Sequence, residues 1–382
     1  MAPEQERRVT LREVAVAARV SIGTASHALT GALSVRPETR ARVLAVAQGL
    51  NYVPDRNAAR LLHGRTECIG IAFSMEAACV AGDTFYATVV RGITVVVEEH
   101  GYTLRFIQLH ADAAVSPHRT GRTLNSRDVD GLIVLNGIDS ALMTRLRTVG
   151  VPLVCVDASG AFPDIPSIDN DDRGGVASGV RYLIDLGHRD IALLNMTLAH
   201  PFARESLSGY LQAMEEASLT VAPWLVRTSA LTITDGRLAM AEVLAGTRRP
   251  TAVFAVSDDL AVGAMQAIQE AGLRIPDDIS VVGMDDIPLA AQVRPALTTV
   301  RIDMDALGRR AAESVLDLIA GRAGGNIQTA LPTHLIVRDS AAPPPSRADE
   351  CTRVTGGAVR AGASDEGSVT VHYRSGSTAL AH

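Results

Sequence analysis

Apolar residues follow two different patterns along this chain. In the first fifty residues they are sparse and recur at helical spacing: Val14, Ala15 and Ala18, then Ala25 and Leu29, then Val43, Ala47 and Leu50. Separations of three and four residues put each set on one face of an α-helix. The punctuation agrees. Thr10-Leu-Arg-Glu13 has the form of a capping box, with a hydroxyl at the N-cap and a carboxylate three residues on. Ser21 is placed to cap a second helix running to about Thr30, with Gly31 as its stop, and Pro37 suits the first turn of a third. Two short helices joined by a tight turn and braced by a third make a helix-turn-helix unit.

From Thr66 the pattern changes to short apolar runs separated by amphipathic stretches. The runs Cys68–Phe73, Thr103–Gln108, Gly131–Leu135, Pro152–Val156, Ile191–Asn195, Ala252–Val256, Ser280–Met284 and Leu335–Val337 predict strands. Helices are predicted over Ala87–His100, Gly174–Leu186, Leu207–Ala217, Leu260–Ala271 and Ala306–Gly321. Buried strands alternating with helices imply an α/β fold with parallel sheets covered on both faces. Roughly 275 residues exceed what one open sheet comfortably uses, so two lobes are expected. From Ala341 a proline-rich break leads into a Gly/Ala/Ser/Thr-rich stretch without apolar periodicity, which predicts a disordered tail. Only Ser368–Tyr373 alternates, as an edge strand would.

Composition narrows the function classes. The chain has 382 residues, 47% apolar, 20% charged and 3% aromatic. It contains no apolar run long enough to span a membrane. The start lacks the apolar stretch of an export signal, so a cytoplasmic protein is expected. Cys68, Cys79, Cys155 and Cys351 lie too far apart for a CxxC metal or redox pair. All 36 basic residues are arginine, which excludes a Walker A loop and Schiff-base catalysis. Charge is uneven. Residues 1–65 hold ten arginines against five acids, a net of +5 in a chain whose total is −6. A basic head on an acidic body points to a polyanion-binding module attached to something else.

The strings VTLREVAVAARVSIGTASHALTG and VRPETRARVLAVAQGLNYVPDRNAARLLHGRT carry three ordered signatures. They are V-A-x-x-A-x-V-S-x-x-T-x-S, E-T-R-x-R-V and L-x-Y-x-P-x-x-x-A-R-x-L. In these the chain resembles the LacI/GalR family of bacterial transcription regulators. Downstream, DNDDRGG, YLIDLGHRDIALL and SDDLAVGAMQAIQEAGLRIPDDISVVGMDD follow the family's periplasmic-binding-protein-like core, so the resemblance spans about residues 9–340. It implies residues 1–52 as the helix-turn-helix domain, 53–65 as a hinge helix and linker, 66–340 as a bilobed effector-binding and dimerisation core, and 341–382 as the tail. Crossings between lobes are expected near 158–165, 290–296 and 322–327.

The resemblance further implies a homodimer on double-stranded operator DNA, most often a repressor, controlled by a sugar-like effector (a sugar, polyol or nucleoside). No membrane, metal or cofactor is expected. Thr10, Ser21, Ile22, Gly23, Thr24, Ser26 and His27 are the candidate DNA contacts of the head. The hydroxyls and helix-start N–H groups suit phosphate oxygens. His27 stands where the family usually has arginine, and histidine can still donate to guanine N7 or O6. Arg19 replaces the family's turn glycine. Asn51, Tyr52, Arg56 and Ala58 extend the DNA set into the hinge, where Leu61 is the apolar wedge that enters the minor groove.

For the effector, the matched positions are Phe73, Phe85, Asp157, Arg204, Ser206, Ser257, Asp258 and Asp285. Phe85 offers a stacking face. The carboxylates and hydroxyls at strand ends can accept from ligand hydroxyls. Each carboxylate also fits a plainer role as a helix N-cap or surface acid, Asp258 ahead of Leu260 above all. Many relatives carry arginine at the Ser206 position. Paired acids at Asp258-Asp259 and Asp285-Asp286 are of the kind a hydrolase or a metal site uses. However, GxGxxG after the first strand, GxSxG, HExxH and histidine ligand spacing are all absent. An exported solute-binding protein and an enzyme on the same fold are the competing readings.

Overall fold

The computed structural model describes residues 9–29, 35–52, 65–73, 83–109, 128–135, 140–158, 160–322 and 328–345. The head folds as expected into α1 (Leu11–Ala17), α2 (Ile22–Leu29) and α3 (Pro37–Gly49). The capping box closes reciprocally: Glu13 N–H donates to Thr10 Oγ1 at 3.4 Å, and Thr10 N–H donates to Glu13 Oε2 at 2.7 Å. Val14, Ala15, Ala18, Ala25, Ala28, Val43 and Ala47 form the shared core. Two expected core residues are displaced. Ala28 takes the buried place given to Leu29, which packs at its edge. Leu50 is 38% exposed, because α3 ends at Gly49 and the helical period no longer places it. Asn51 then adopts φ +49°, and Tyr52 N–H donates to Ala47 O at 2.9 Å. That turn swings Tyr52, instead of Leu50, against the cluster.

In the body, the first lobe runs through β1 (Cys68–Phe73), α4 (Thr84–Glu99), β2 (Thr103–Gln108), β3 (Gly131–Leu135), α5 (Ser140–Arg147), β4 (Leu153–Val156) and β5 (Ser167–Asn170). The second lobe takes α6 (Asp172–Asp185), β6 (Ile191–Met196), α7 (Pro201–Glu216), β7 (Val226–Ser229), α8 (Ile233–Leu244), β8 (Ala252–Ala255), α9 (Asp258–Glu270), β9 (Ser280–Asp285) and β10 (Thr298–Arg301). The chain returns to the first lobe for α10 (Met304–Ile319) and β11 (Gln328–Leu331), then ends in the second with β12 (His334–Ile336). Each lobe is built on a six-stranded sheet, β11-β5-β4-β3-β1-β2 in the first and β12-β10-β9-β8-β6-β7 in the second. All pairings are parallel except β10 with β12.

The lobe crossings differ from the expectation. They lie at Asp171, at Ile302–Asp303 and at Pro332–Thr333, each beyond the windows 158–165, 290–296 and 322–327. The reason is local. β5, β10 and β11 read Ser-Ile-Asp-Asn, Thr-Thr-Val-Arg and Gln-Thr-Ala-Leu, too short and polar to register as apolar runs. Each completes the sheet it is leaving before the chain crosses. Helices also start earlier than the apolar periodicity implied. Asp83, Asp171, Ser257 and Asp303 each accept a backbone N–H ahead of α4, α6, α9 and α10, so the cap sets the helix start ahead of the apolar stripe.

Where α4 and α10 cross, Gly308 faces the Val89 carbonyl and Gly92 faces the Asp305 carbonyl, so closely that a Cβ at either site would collide with backbone. The boundary drawn at residue 340 also moves. Ser340 O accepts from Val281 N–H at 2.8 Å, and Ala342 N–H donates to Ser280 Oγ at 3.0 Å, so the segment beyond β12 is docked on the second sheet. Ser368–Tyr373 and the rest of the tail from 346 lie outside the described residues.

Candidate functional sites

The first site is the outer face of α2. Its inner face is consumed by Ala25 and Ala28, which leaves Ser21, Ile22, Gly23 and His27 exposed, Ile22 at 49%. Ser21 Oγ accepts from Thr24 N–H at 3.0 Å and shares a 2.8 Å hydrogen bond with Thr24 Oγ1, so the two hydroxyls order the helix start. Ser26 is half-buried beside them. Thr10 is occupied locally: its hydroxyl donates to Glu13 Oε2 at 2.9 Å. Arg19, in the turn between α1 and α2, adopts φ +55°, the left-handed conformation glycine takes without strain. Asn51 is exposed, whereas Tyr52 packs on the head's core. Arg56, Ala58 and Leu61 lie outside the described residues.

The second site gathers strand ends and helix starts where the two lobes face each other. From the first lobe, Phe73 closes β1, buried and edge-on to Phe106 at 6.5 Å. Phe85 sits in the first turn of α4, edge-on to Tyr86 at 5.1 Å. Asp83 caps that helix, its Oδ1 accepting from Phe85 N–H at 2.8 Å, and burial raises its carboxyl above the usual range. Asp157 directly follows β4, buried and at φ +57°. Nearby, Asp169 Oδ1 accepts from Ala158 N–H at 2.7 Å.

From the second lobe, Ser257 caps α9, its Oγ accepting from Leu260 N–H at 3.2 Å. The capping role considered for Asp258 therefore belongs to its neighbour. Asp258 is fully buried, and both its oxygens are in use. Oδ2 accepts from Ile287 N–H at 2.9 Å and Oδ1 accepts from the Thr299 hydroxyl at 2.5 Å. Burial nonetheless pushes this carboxyl up to about 7. It is a clasp between α9, β10 and the loop after β9, which its sequence position did not reveal.

Asp285 closes β9 at φ +118°, and its carboxyl is raised first by burial, then by the charges of Asp258 and Asp83. Asp259 is raised by burial and then by Asp83. An acid of the first lobe thus acts on two of the second, and that mutual influence marks the cleft. Asp286 is different: Arg301 at 2.7 Å and Arg338 at 2.5 Å neutralise it.

On α7, Ser206 is fully buried, with its Oγ lacking a hydrogen-bond partner. Arg204 is exposed, donates to the carbonyls of Leu198 and Ala199, and lines an open groove of about 360 Å³ with Arg173 and Leu211. Sequence reasoning missed Asp83, Asn170 and Asp172. The signal for the last two was the polar run Asp169-Asn-Asp-Asp172 itself; for Asp83 it was an acid ahead of an apolar helix. Among the described residues no group of three or more His, Cys, Asp or Glu could hold a metal ion. No described helix is long and apolar enough to cross a membrane.

A helix-turn-helix head with an open recognition face, joined to a two-lobed α/β core with an acidic cleft, is the architecture of a ligand-responsive DNA-binding protein. Comparison with known proteins agrees. Residues 10–55 match the lacI family of bacterial regulatory proteins, and residues 180–341 match the periplasmic binding protein-like domain. The HTH-type transcriptional regulator CelR of Thermobifida fusca is 32% identical over 340 residues, 88% of this chain and 99% of its own. A lac repressor dimer bound to operator and an anti-inducer superposes with a TM-score of 0.77 at 30% identity, covering 88% of this chain and all of that one. A CelR–cellobiose complex gives 0.68 at 31% identity, covering 87% and 100%. The chain belongs to the LacI family of transcriptional regulators.

Proposed function

We propose that this protein works in the cytoplasm as a homodimeric repressor whose grip on operator DNA is set by a small polar effector held between its lobes. The observation that carries the reading is the division of α2. Its inner face closes the head's core, and its outer face presents Ile22, Gly23 and His27 as exposed residues. Such a face fits the major groove, with Ser21 and Thr24 at the helix start placed for phosphate oxygens. Gly23 contributes no side chain, so base reading falls mainly to Ile22 and His27. Arg56, Ala58 and Leu61 complete the DNA contacts, Leu61 as the minor-groove wedge.

In the core, Phe73, Phe85, Asp157, Ser206 and Asp285 are the effector contacts we assign. Asp258 and Ser257 support them from behind, and Arg204 is assigned as a further contact from the start of α7. The relatives' operator-bound dimer and cellobiose complex support both halves of this reading. Binding, rather than catalysis, fits the acid pairs. Asp258 is tied to Thr299 and Asp286 to two arginines, so neither pair offers two carboxylates to one substrate.

The test is selection of binding sites from random duplexes, followed by titration of salt. A near-palindromic site is expected, with log K falling steeply against log salt, by about 0.9 per phosphate neutralised. A flat salt response overturns the DNA reading.

A further inference from the structure

Three buried polar atoms at one lobe crossing lack hydrogen-bond partners: Asn170 Oδ1, Asp172 Oδ2 and Ser206 Oγ. Their residues are 7%, 5% and 0% exposed. The fold places their residues on adjoining elements. Asn170 ends β5, Asp171 makes the crossing and caps α6 through Gly174 N–H, and Asp172 is the first residue of that helix. Ser206 lies one turn before Gly209, whose missing side chain lets the Arg173 carbonyl rest against α7. The same face of α7 therefore looks onto the first turn of α6. Folded proteins leave few buried polar groups unmet, and such groups mark places where something outside the chain completes the bonding.

The electrostatics say what that is. Asp172 is raised well above the usual carboxylate range, first by burial and then by Asp157, Asp169, Asp171 and Glu205. Every one of these charges is negative. A buried carboxylate in such company needs a proton or a cation. A proton quiets Asp172 and gives it a single O–H donor, enough for one of the Asn170 and Ser206 oxygens and not for both. An ammonium group brings one positive charge and three N–H donors, and has no acceptor of its own to satisfy.

We propose that the effector carries a protonated amine, as an amino sugar or an aminated polyol does, and that Asp172 binds it together with Asn170 and Ser206. This rests on the cleft being the effector site, and it adds the ligand's charge and a residue that binds it. Neutral sugars, which have acceptors as well as donors, bring no positive charge to the Asp172 carboxylate.

The experiment is calorimetry on the full chain with matched pairs of probes at pH 6.0 and 7.5: glucosamine against glucose, galactosamine against galactose, and glucamine against sorbitol. At least one amine should bind, and its neutral partner should bind roughly 10- to 100-fold more weakly, the ordinary scale of a charge-assisted hydrogen bond. Asp172→Asn should remove that preference. Ser206→Arg, which supplies the cation from within the chain, should abolish amine binding while operator affinity persists. Equal binding of amine and neutral partner overturns the proposal, as does heat from none of the amines or an unaltered preference in Asp172→Asn. If a neutral sugar binds and Asp285→Ala removes it, the cleft reading stands and only the charge assignment falls.

Discussion

His188 shows how one side chain ties distant parts of the fold together. It is buried, with Nδ1 2.9 Å from Thr251 Oγ1 and Nε2 2.9 Å from the carbonyl of Ala342. A carbonyl only accepts, so Nε2 carries the proton and Nδ1 accepts from the threonine hydroxyl. The neutral ring thereby fastens the segment after β12 to the second sheet. Burial, assisted by Arg189, lowers its pKa below the ordinary 6.5, opposed only in part by the bond to Ala342. The folded state therefore favours neutral His188. The stability this adds is present in full above about pH 6.5 and is lost as pH falls through the lower folded value. Melting temperatures of the wild type and His188→Gln between pH 5 and 8 should show a shallower acid-side decline in the variant. Parallel declines would remove His188 from the account. Nothing in the local sequence Leu-Gly-His-Arg announces this role, because all the ring's partners are 63 or more residues away.

Elements in this chain are fixed partly by local signals and partly by the partners they meet. The capping box at Thr10, the proline at the start of α3 and the long apolar runs of β1, β3 and β6 are local, and each element formed where those signals stood. β5 and β10 are the opposite case. Their Ser167, Asp169, Thr298 and Thr299 side chains are buried and become tolerable through specific bonds, such as the Thr299 hydroxyl to Asp258 and Arg338 N–H to Thr298 Oγ1. A reading of hydropathy passes over such strands, and the expected lobe crossings were misplaced with them.

Helix pairing has the same character. Gly308 looks neutral in sequence, but its Cα lies against the Val89 carbonyl of α4. Gly308→Ala forces two packed helices apart and should cost about 1–3 kcal/mol, the usual range for overpacking. Urea unfolding should show a lower midpoint at an unchanged slope. A midpoint equal to the wild type would mean that the helices yield without strain.

For the whole molecule, the informative feature is that acids of one lobe act on acids of the other. Asp83 acts on Asp259 and Asp285 across the cleft, and Asp172 at a crossing feels Asp157 of the first lobe and Glu205 of the second. Like charges facing one another resist closure, so a ligand that satisfies them favours one arrangement of the lobes. Linkage passes that preference to the DNA-binding head, with a coupling of about 1–3 kcal/mol as the ordinary scale. Asp285→Ala should leave operator affinity intact and make it indifferent to effector, as measured by operator titration with and without ligand. A variant that still responds fully would take Asp285 out of the site.

The sequence by itself determined the order of the parts: a basic three-helix head, an acidic α/β body and a tail of different composition. Helical spacing, capping residues and apolar runs are properties of neighbours along the chain, and they need no knowledge of the fold. Tertiary structure alone decided which acids meet. Asp258 became a clasp, Asp285 faced the other lobe, and Asp172 lost its solvent, because burial and charge coupling depend on residues brought near only when both lobes have closed their sheets.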